Sequence, residues 1–115
     1  MLNSNVTNNN SHNQQIRDNY NQLSEHEKNM FQKYEKSGWN GQVSGGSSHA
    51  GGTFKNDGSA NSAILPAKNK NGEISYKEFD INQTIGERDS YRFIKGSDGS
   101  VYYTNDHYKT FTRIK

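Results

Sequence analysis

The 115-residue sequence has no cysteine, one proline and only 28% hydrophobic residues, and each shortage removes options. Without thiols, neither a disulfide nor a thiolate metal site can reinforce the core, and the redox compartment stays open. No apolar run approaches the length of a bilayer span. The opening MLNSNVTNNN has neither the basic nor the apolar region of an export signal, so the chain as written reads as soluble, with no membrane segment and no signal peptide. A G-x-x-x-x-G-K-S/T phosphate loop is missing. The run Asn69-Lys70-Asn71-Gly72-Glu73 lacks the spaced aspartates and terminal glutamate of a calcium loop, so no metal and no cofactor is expected. Net charge is also small, at +2. Residues 1–40 carry four basic and four acidic side chains and residues 41–115 carry ten and eight, so the surplus sits in the second part. A surplus of that size is weak evidence for a polyanionic partner.

What is present is unevenly distributed. Mean hydropathy is −1.21, yet most of the Tyr, Phe and Ile follow residue 50. Residues 1–21 are Asn-rich with almost nothing to bury, and read as a disordered leader in which His12 is inert. A single small domain is then expected over residues 22–115. Within 22–39, Ser24 with Glu27 forms a capping-box pattern, Gly38 is a stop signal, and Met30, Phe31 and Tyr34 form a narrow stripe at helical spacing. Such a helix is marginal alone and must dock on something larger. Residues 40–61 read as Gly-rich, mobile loop with at most one short strand near 52–55, and Leu65-Pro66 with Asn69 to Gly72 as a second loop ending in a turn, so that 40–72 is loop that includes the stretch Phe54 to Gly58.

From Glu73 the period becomes two. Ile74, Tyr76, Glu78 and Asp80 share one face, and Ser75, Lys77, Phe79 and Ile81 the other, with Phe79 and Ile81 toward the core. Glu78 and Asp80 are thereby expected on a wet face. In Tyr91-Arg92-Phe93-Ile94-Lys95, Phe93 points inward and Arg92 away. Ser97 to Ser100 is a hairpin turn, Val101–Thr104 pairs back, and a last strand over 109–115 is anchored by Phe111 and Ile114. The fold class is α+β: a small N-terminal helix or helices packed on an antiparallel sheet of three to five strands formed mainly by 73–115. Strand geometry lets Glu78 and Arg92 meet on one face, with His107 overhanging it from a loop. Taken singly, Glu78 is a solvated strand residue, His107 a turn histidine, and Arg88 and Arg92 are surface charges or partners of Asp80 and Asp89. Together, a carboxylate, an imidazole and two guanidiniums are what acid–base cleavage of a phosphodiester needs.

Two stretches, Tyr76-Lys77-Glu78-Phe79-Asp80-Ile81-Asn82 and Asp106-His107-Tyr108-Lys109-Thr110-Phe111-Thr112, resemble the guanyl-specific microbial ribonucleases of the barnase type. The steps of 10 from Glu78 to Arg88, 4 to Arg92 and 15 to His107 look like that family's catalytic spacing. The resemblance covers residues 50–115 and extends loosely back to Gly38-Trp39. It implies the microbial ribonuclease fold and a metal-independent endoribonuclease acting on RNA, with Glu78 as general base, His107 as general acid and Arg88 and Arg92 neutralising the phosphoryl oxygens. Asp80 would hold the arginines, with Asp106 beside His107 in a supporting place. Phe54, Asn56 and Asp57 would recognise guanine, and Tyr108 would stack on the base. Two departures stand out. The family's base-recognition loop, F-x-N-R-E-G, is one residue shorter here, Phe54-Lys55-Asn56-Asp57-Gly58, and the family's phosphate-binding lysine aligns with Phe31, leaving Lys33 or Lys36 as substitutes.

The order of helix, Gly-Trp, Gly/Ser-rich spacer and nuclease also resembles the C-terminal toxin modules of bacterial polymorphic secreted toxins. That implies a secreted or delivered monomer with an acidic immunity protein, barstar-like or otherwise, as partner. Two other readings compete with catalysis. One is a non-catalytic RNA-binding module on a degenerate ribonuclease scaffold, and the other is an interaction domain whose motif is accidental.

Overall fold

The computed structural model describes residues 4–115. Helix α1 (Ser4–Asn21) and helix α2 (Glu25–Ser37) precede strands β1 (Gly52–Phe54), β2 (Lys68–Asn69), β3 (Gly72–Glu73), β4 (Tyr76–Asp80), β5 (Arg92–Gly96), β6 (Val101–Thr104) and β7 (Thr112–Arg113). β1, β4, β5, β6 and β7 form one sheet in that order, antiparallel throughout, and β2–β3 is a separate hairpin. The α+β architecture is thus present, with five strands in the main sheet.

α2 starts and stops where its end signals stand. Ser24 Oγ accepts from Glu27 N (3.1 Å) and Glu27 Oε1 accepts from Ser24 N (2.7 Å), closing the capping box. Gly38 at φ +73° lets the chain leave through the left-handed region. The buried face of α2 is Glu27, Met30, Phe31 and Tyr34, the i, i+3, i+4, i+7 stripe. It packs with Leu23 and Trp39 on Phe79, Ile81, Phe93, Val101 and Ile114 from one face of the sheet. Aromatics dominate this core: Tyr34 stacks on Trp39 at 5.3 Å, and Phe79 meets Trp39 edge-on at 5.0 Å.

α1 corrects the sequence reading. Residues 4–21 are helical rather than disordered, and residues 1–3 of that leader lie outside the described residues. Composition alone leaves this helix without a stable stripe. Its last turns dock on the domain: Tyr20 meets Phe31 edge-on at 5.2 Å, Gln32 Nε2 donates to Tyr20 Oη (2.9 Å), and Asn19 Nδ2 donates to the Arg113 carbonyl (3.0 Å). Tertiary contact overrides weak propensity here.

The Gly-rich segment after Trp39 is also more ordered than expected. Ser47 Oγ donates to Asp80 (2.6 Å) and Gly51 N donates to the Glu78 carbonyl (2.8 Å), so both ends of 47–51 are tied to β4. Gly46 packs so closely that a Cβ would lie 2.9 Å from Tyr34 Oη, which itself donates to the Asp80 carbonyl. Glycine is therefore a packing requirement at this point.

The second face of the sheet is the main correction. Strand parity is as read from the sequence, but the face is not wet. Tyr76 and Ile94 pack there with Phe54, Leu65 and Tyr108 in a second cluster, edged by Ile74, Tyr102 and Phe111. Asp80 and Arg92 are each only 2% exposed. Loops 54–66 and 105–111 supply Leu65, Tyr108 and Phe111 to the apolar cluster, while Ser47 and Arg88 bond to Asp80 and the Asp89 and Tyr91 carbonyls accept from Arg92. The last strand is shorter than its sequence pattern: only Thr112 and Arg113 are in regular register with β6, while Ile114 N and Lys115 N both donate to the Val101 carbonyl. Phe111 and Ile114 still anchor it, one on each cluster.

Candidate active site

Two rows of cross-strand neighbours build the site. Register places Glu78 between Gly52 and Ile94, and Asp80 opposite Arg92, which faces Thr104. Arg92 therefore meets Asp80 directly and not Glu78, which corrects the pairing expected from sequence. Its Nε lies 2.9 Å from Asp80 Oδ1, an ion pair in which that N–H is not aimed at the oxygen and makes no hydrogen bond. Arg92 Nη1 donates to the Asp89 and Tyr91 carbonyls. This guanidinium is buried and held by protein groups.

Arg88 sits further out, 28% exposed, and bridges the two carboxylates. Its Nη2 donates to Asp80 Oδ1 (2.5 Å) and Glu78 Oε1 (2.7 Å), and its Nε donates to Asp80 Oδ2 (2.9 Å). Hydrogen bonding to Asp80 holds the Arg88 pKa above its ordinary value against the opposing effect of burial, so the cation is permanent. Burial pushes Asp80 toward protonation, but bonds from Arg88 and Ser47 and the charges of Arg92 and Arg88 outweigh it and keep the carboxyl below the usual aspartate range. Asp80 is thus the shared counter-ion of both arginines, the place expected for it.

Glu78 has each oxygen anchored separately. Oε1 takes the Arg88 bond, and Oε2 accepts from Tyr108 Oη at 2.6 Å. Burial and that bond raise the Tyr108 hydroxyl to about 12, so it stays a donor. The Tyr108 ring is buried against Phe54, with centroids 5.0 Å apart, and Phe111 at 6.4 Å. Only 9% of the residue is exposed. Tyr108 is therefore a wall of the site and an anchor of Glu78 rather than a free plate for a base.

His107 is exposed, and its ring centroid is 4.6 Å from that of Tyr108, so the carboxylate and the imidazole contact opposite parts of one tyrosine. Both residues are left-handed, at φ +57° and +71°, and non-glycine residues hold such angles only where surroundings impose them. Those surroundings are visible. Asp106 accepts from Thr104 Oγ1 (2.9 Å), Thr110 N (3.0 Å) and Thr110 Oγ1 (2.5 Å). Thr104 Oγ1 accepts from Tyr108 N (3.1 Å), and Ala63 N donates to the Tyr108 carbonyl (2.8 Å). Asp106 thus shapes the loop and makes no bond to the imidazole.

The expected base-recognition residues border an open groove of about 290 Å³ lined by Phe54, Lys55, Asn56, Asp57, His107 and Tyr108, among others. The Asn56 side chain is already bonded twice to Leu65, donating to its carbonyl (2.9 Å) and accepting from its N–H (2.7 Å). Asp57 is exposed, and its Oδ1 accepts from Ser59 N (3.0 Å), a bond that holds its carboxyl below the ordinary range. Phe31 is core, and Lys33 Nζ donates to the Ser44 carbonyl (2.9 Å). Sequence reasoning missed Ser47 and Thr104. Ser47 stood in a stretch read as loop, whereas Thr104 could have been found by extending the Asp80–Arg92 row one strand further.

The geometry agrees with what similar proteins are called. Ribonucleases of Bacillus intermedius and Bacillus pumilus are each 46% identical to this chain over 41 residues, 36% of the chain and 25% of the relative. A ribonuclease of Heyndrickxia coagulans is 44% identical over 41 residues, 36% of the chain and 38% of the relative. The chain thus spans well under half the length of these curated relatives. The model of a family described as ribonuclease matches residues 3–115, almost the whole sequence, and the chain belongs to that family.

Proposed function

We propose that the chain is a metal-independent endoribonuclease that cleaves single-stranded RNA 3′ of guanine. The observation that carries this is the Glu78 carboxylate, anchored by Arg88 and Tyr108 on the rim where His107 is exposed. Glu78 takes the proton of the ribose 2′-hydroxyl, and the 2′-oxygen attacks phosphorus. The P–O5′ bond breaks, and His107 protonates the departing oxygen, leaving a 2′,3′-cyclic phosphate. Water then enters by the reverse exchange of roles and opens the ring to a 3′-phosphate. Proton uptake neutralises Glu78 and weakens its hold on Arg88 Nη2, freeing that donor as charge builds on the phosphoryl oxygens. Arg92, buried behind Asp80, sets the position of this pair.

Guanine presents N1–H and N2–H donors along one edge, which call for an acceptor. Asp57 is ionised, exposed and on the groove, with Oδ2 on the unbonded side of its carboxylate. Asn56 supports the reading as a brace of the loop. The test is cleavage of GpN dinucleosides, with ApN as control, in EDTA. Turnover with a bell-shaped pH profile is expected, and Glu78→Ala or His107→Ala should lower kcat by at least a hundredfold. Full activity in either variant, or a strict metal requirement, overturns the assignment. RNA binding without turnover would instead support the non-catalytic module.

The biological setting proposed is a toxin module delivered to a target cell, with an acidic immunity protein covering the cleft. Cytosolic expression should arrest bacterial growth, and a small acidic protein encoded next to the chain should relieve it. Arrest by the Glu78→Ala variant as well would sink the toxin reading.

A further inference from the structure

Arg88 rides on a loop whose neck is closed by a clasp. Ile81 N donates to the Tyr91 carbonyl (3.3 Å), and beyond it Asn82 Nδ2 donates to Asp89 Oδ2 (2.7 Å). Among the described residues, Gln83 to Glu87 make no hydrogen bond, and Ile85 is fully exposed. The clasp also reaches beyond its loop. Asp89 Oδ1 accepts from Tyr91 N (3.1 Å), the Asp89 carbonyl accepts from Arg92 Nη1, and the Ser90 carbonyl accepts from His107 N (3.3 Å). Residues 89–91 therefore meet the neck of the Arg88 loop, the Arg92 guanidinium and the His107 backbone. Helix α2 braces the clasp from outside, with His26 Nε2 at 2.8 Å from Asn82 Oδ1. The polarity of this chain is set at its inner end. A carboxylate only accepts, so Asp89 takes the Asn82 amide N–H, Asn82 presents its oxygen to α2, and His26 Nε2 donates.

The resting bonds of Arg88 to Glu78 and Asp80 do not make the clasp redundant. In the proposed reaction Glu78 takes a proton and releases Arg88 Nη2, and Asp80 and the clasp are then left to keep the loop in place. A misplacement of about 1 Å in such a group costs on the order of a hundredfold in rate. We propose that Asn82 is a positioning residue for Arg88, with His26 as its brace on α2. The proposal rests on the ribonuclease reading above and deepens it, because it assigns roles to two residues to which the catalytic spacing gives none.

The experiment measures kcat and KM on a GpN dinucleoside for the full chain and for Asn82→Ala, Asn82→Asp, His26→Ala and His26→Gln, and repeats Asn82→Ala in an Arg88→Ala background. Urea titration gives the folded fraction under assay conditions. Asn82→Ala should lower kcat per folded molecule at least tenfold with KM within twofold. Asn82→Asp, which sets a second carboxylate against Asp89, should lower it at least as far. His26→Ala should lower kcat several-fold, and His26→Gln, whose amide restores a donor, should return it to within twofold of wild type. In the Arg88→Ala background, Asn82→Ala should change kcat less than twofold, because residues that act through one another do not add. In heteronuclear NMR, the Arg88 Nε–H resonance should shift and broaden in Asn82→Ala, and this readout alone decides if Arg88→Ala turns over too slowly to measure. Wild-type kcat in Asn82→Ala or in His26→Ala overturns the role assigned to that residue. An equal fall in kcat in both backgrounds, a loss explained wholly by unfolding, or an unchanged Arg88 resonance overturns the positioning role and leaves the ribonuclease reading standing. No cleavage by wild type sinks that reading, and the role of Asn82 in it.

Discussion

At the scale of single residues, the two arginines separate into different jobs. Arg92 is almost fully buried with Asp80, and removing one partner of a buried ion pair costs on the order of 3–5 kcal/mol. Arg92→Ala should therefore unfold at a clearly lower urea midpoint as well as lose activity. Arg88→Ala, at a more exposed position, should lose activity with a much smaller change in midpoint. Equal stability losses would contradict the division. Asn56→Ala removes both bonds to Leu65, each worth about 1 kcal/mol net. It should cost roughly 1–2 kcal/mol by urea titration, whereas Asp57→Asn, at an exposed position, should leave stability unchanged and weaken only guanine preference. Nothing in the string Phe54 to Gly58 distinguishes these neighbours. Leu65 lies nine positions on from Asn56, and only the folded loop brings them together.

Among elements, α2 is the one whose boundaries were written locally. Ser24 and Gly38 act within four residues of the backbone groups they satisfy, so their signals survive without tertiary context. Ser24→Ala should lower stability by about 1 kcal/mol, and a thermal scan should show a lower Tm with catalysis intact. A change below about 0.3 kcal/mol would mean the cap is redundant. α1 is the contrasting case. Its side chains pair along the helix, as Gln14 with Asp18 and Gln15 with Asn19. Such pairs contribute only a few tenths of a kcal/mol each. Docking of Tyr20 on Phe31 is what holds its last turn, and no Asn-rich composition announces that contact.

For the whole molecule, pH should reveal which titrating groups the fold depends on. The Asp80 carboxyl is held below its ordinary range, so its contribution to stability is present above that range and is lost as pH falls through the lowered value. Acid unfolding should therefore begin below about pH 4, and Asp80→Asn should flatten that limb of the curve. Tyr34 and Tyr76 are raised to about 12, mainly by burial. Their contribution is complete below pH 10 and is lost between there and pH 12, so stability should fall over that alkaline window. Denaturant titrations at stepped pH values check both limbs. A curve flat from pH 2 to 12 would contradict both assignments.

By itself the sequence determined whatever depends on near neighbours and on parity. The caps of α2, the Ser97–Ser100 turn, the alternation that sets Phe79 against Glu78, and the spacing from Glu78 to His107 are all of this kind. Parity assigns a face but not a register, which is why Glu78 was matched with Arg92 when Asp80 is its true opposite. Nor does parity say what lies above a face. The loops that cover Asp80 and Arg92, draw Tyr108 onto Glu78 and hang His107 at the rim act through contacts between residues some 30 positions apart, as in the Tyr108–Glu78 bond. Burial and hydrogen bonding across such distances exist only once the chain is folded. Tertiary structure thus decided which charges are held inside and which face the substrate.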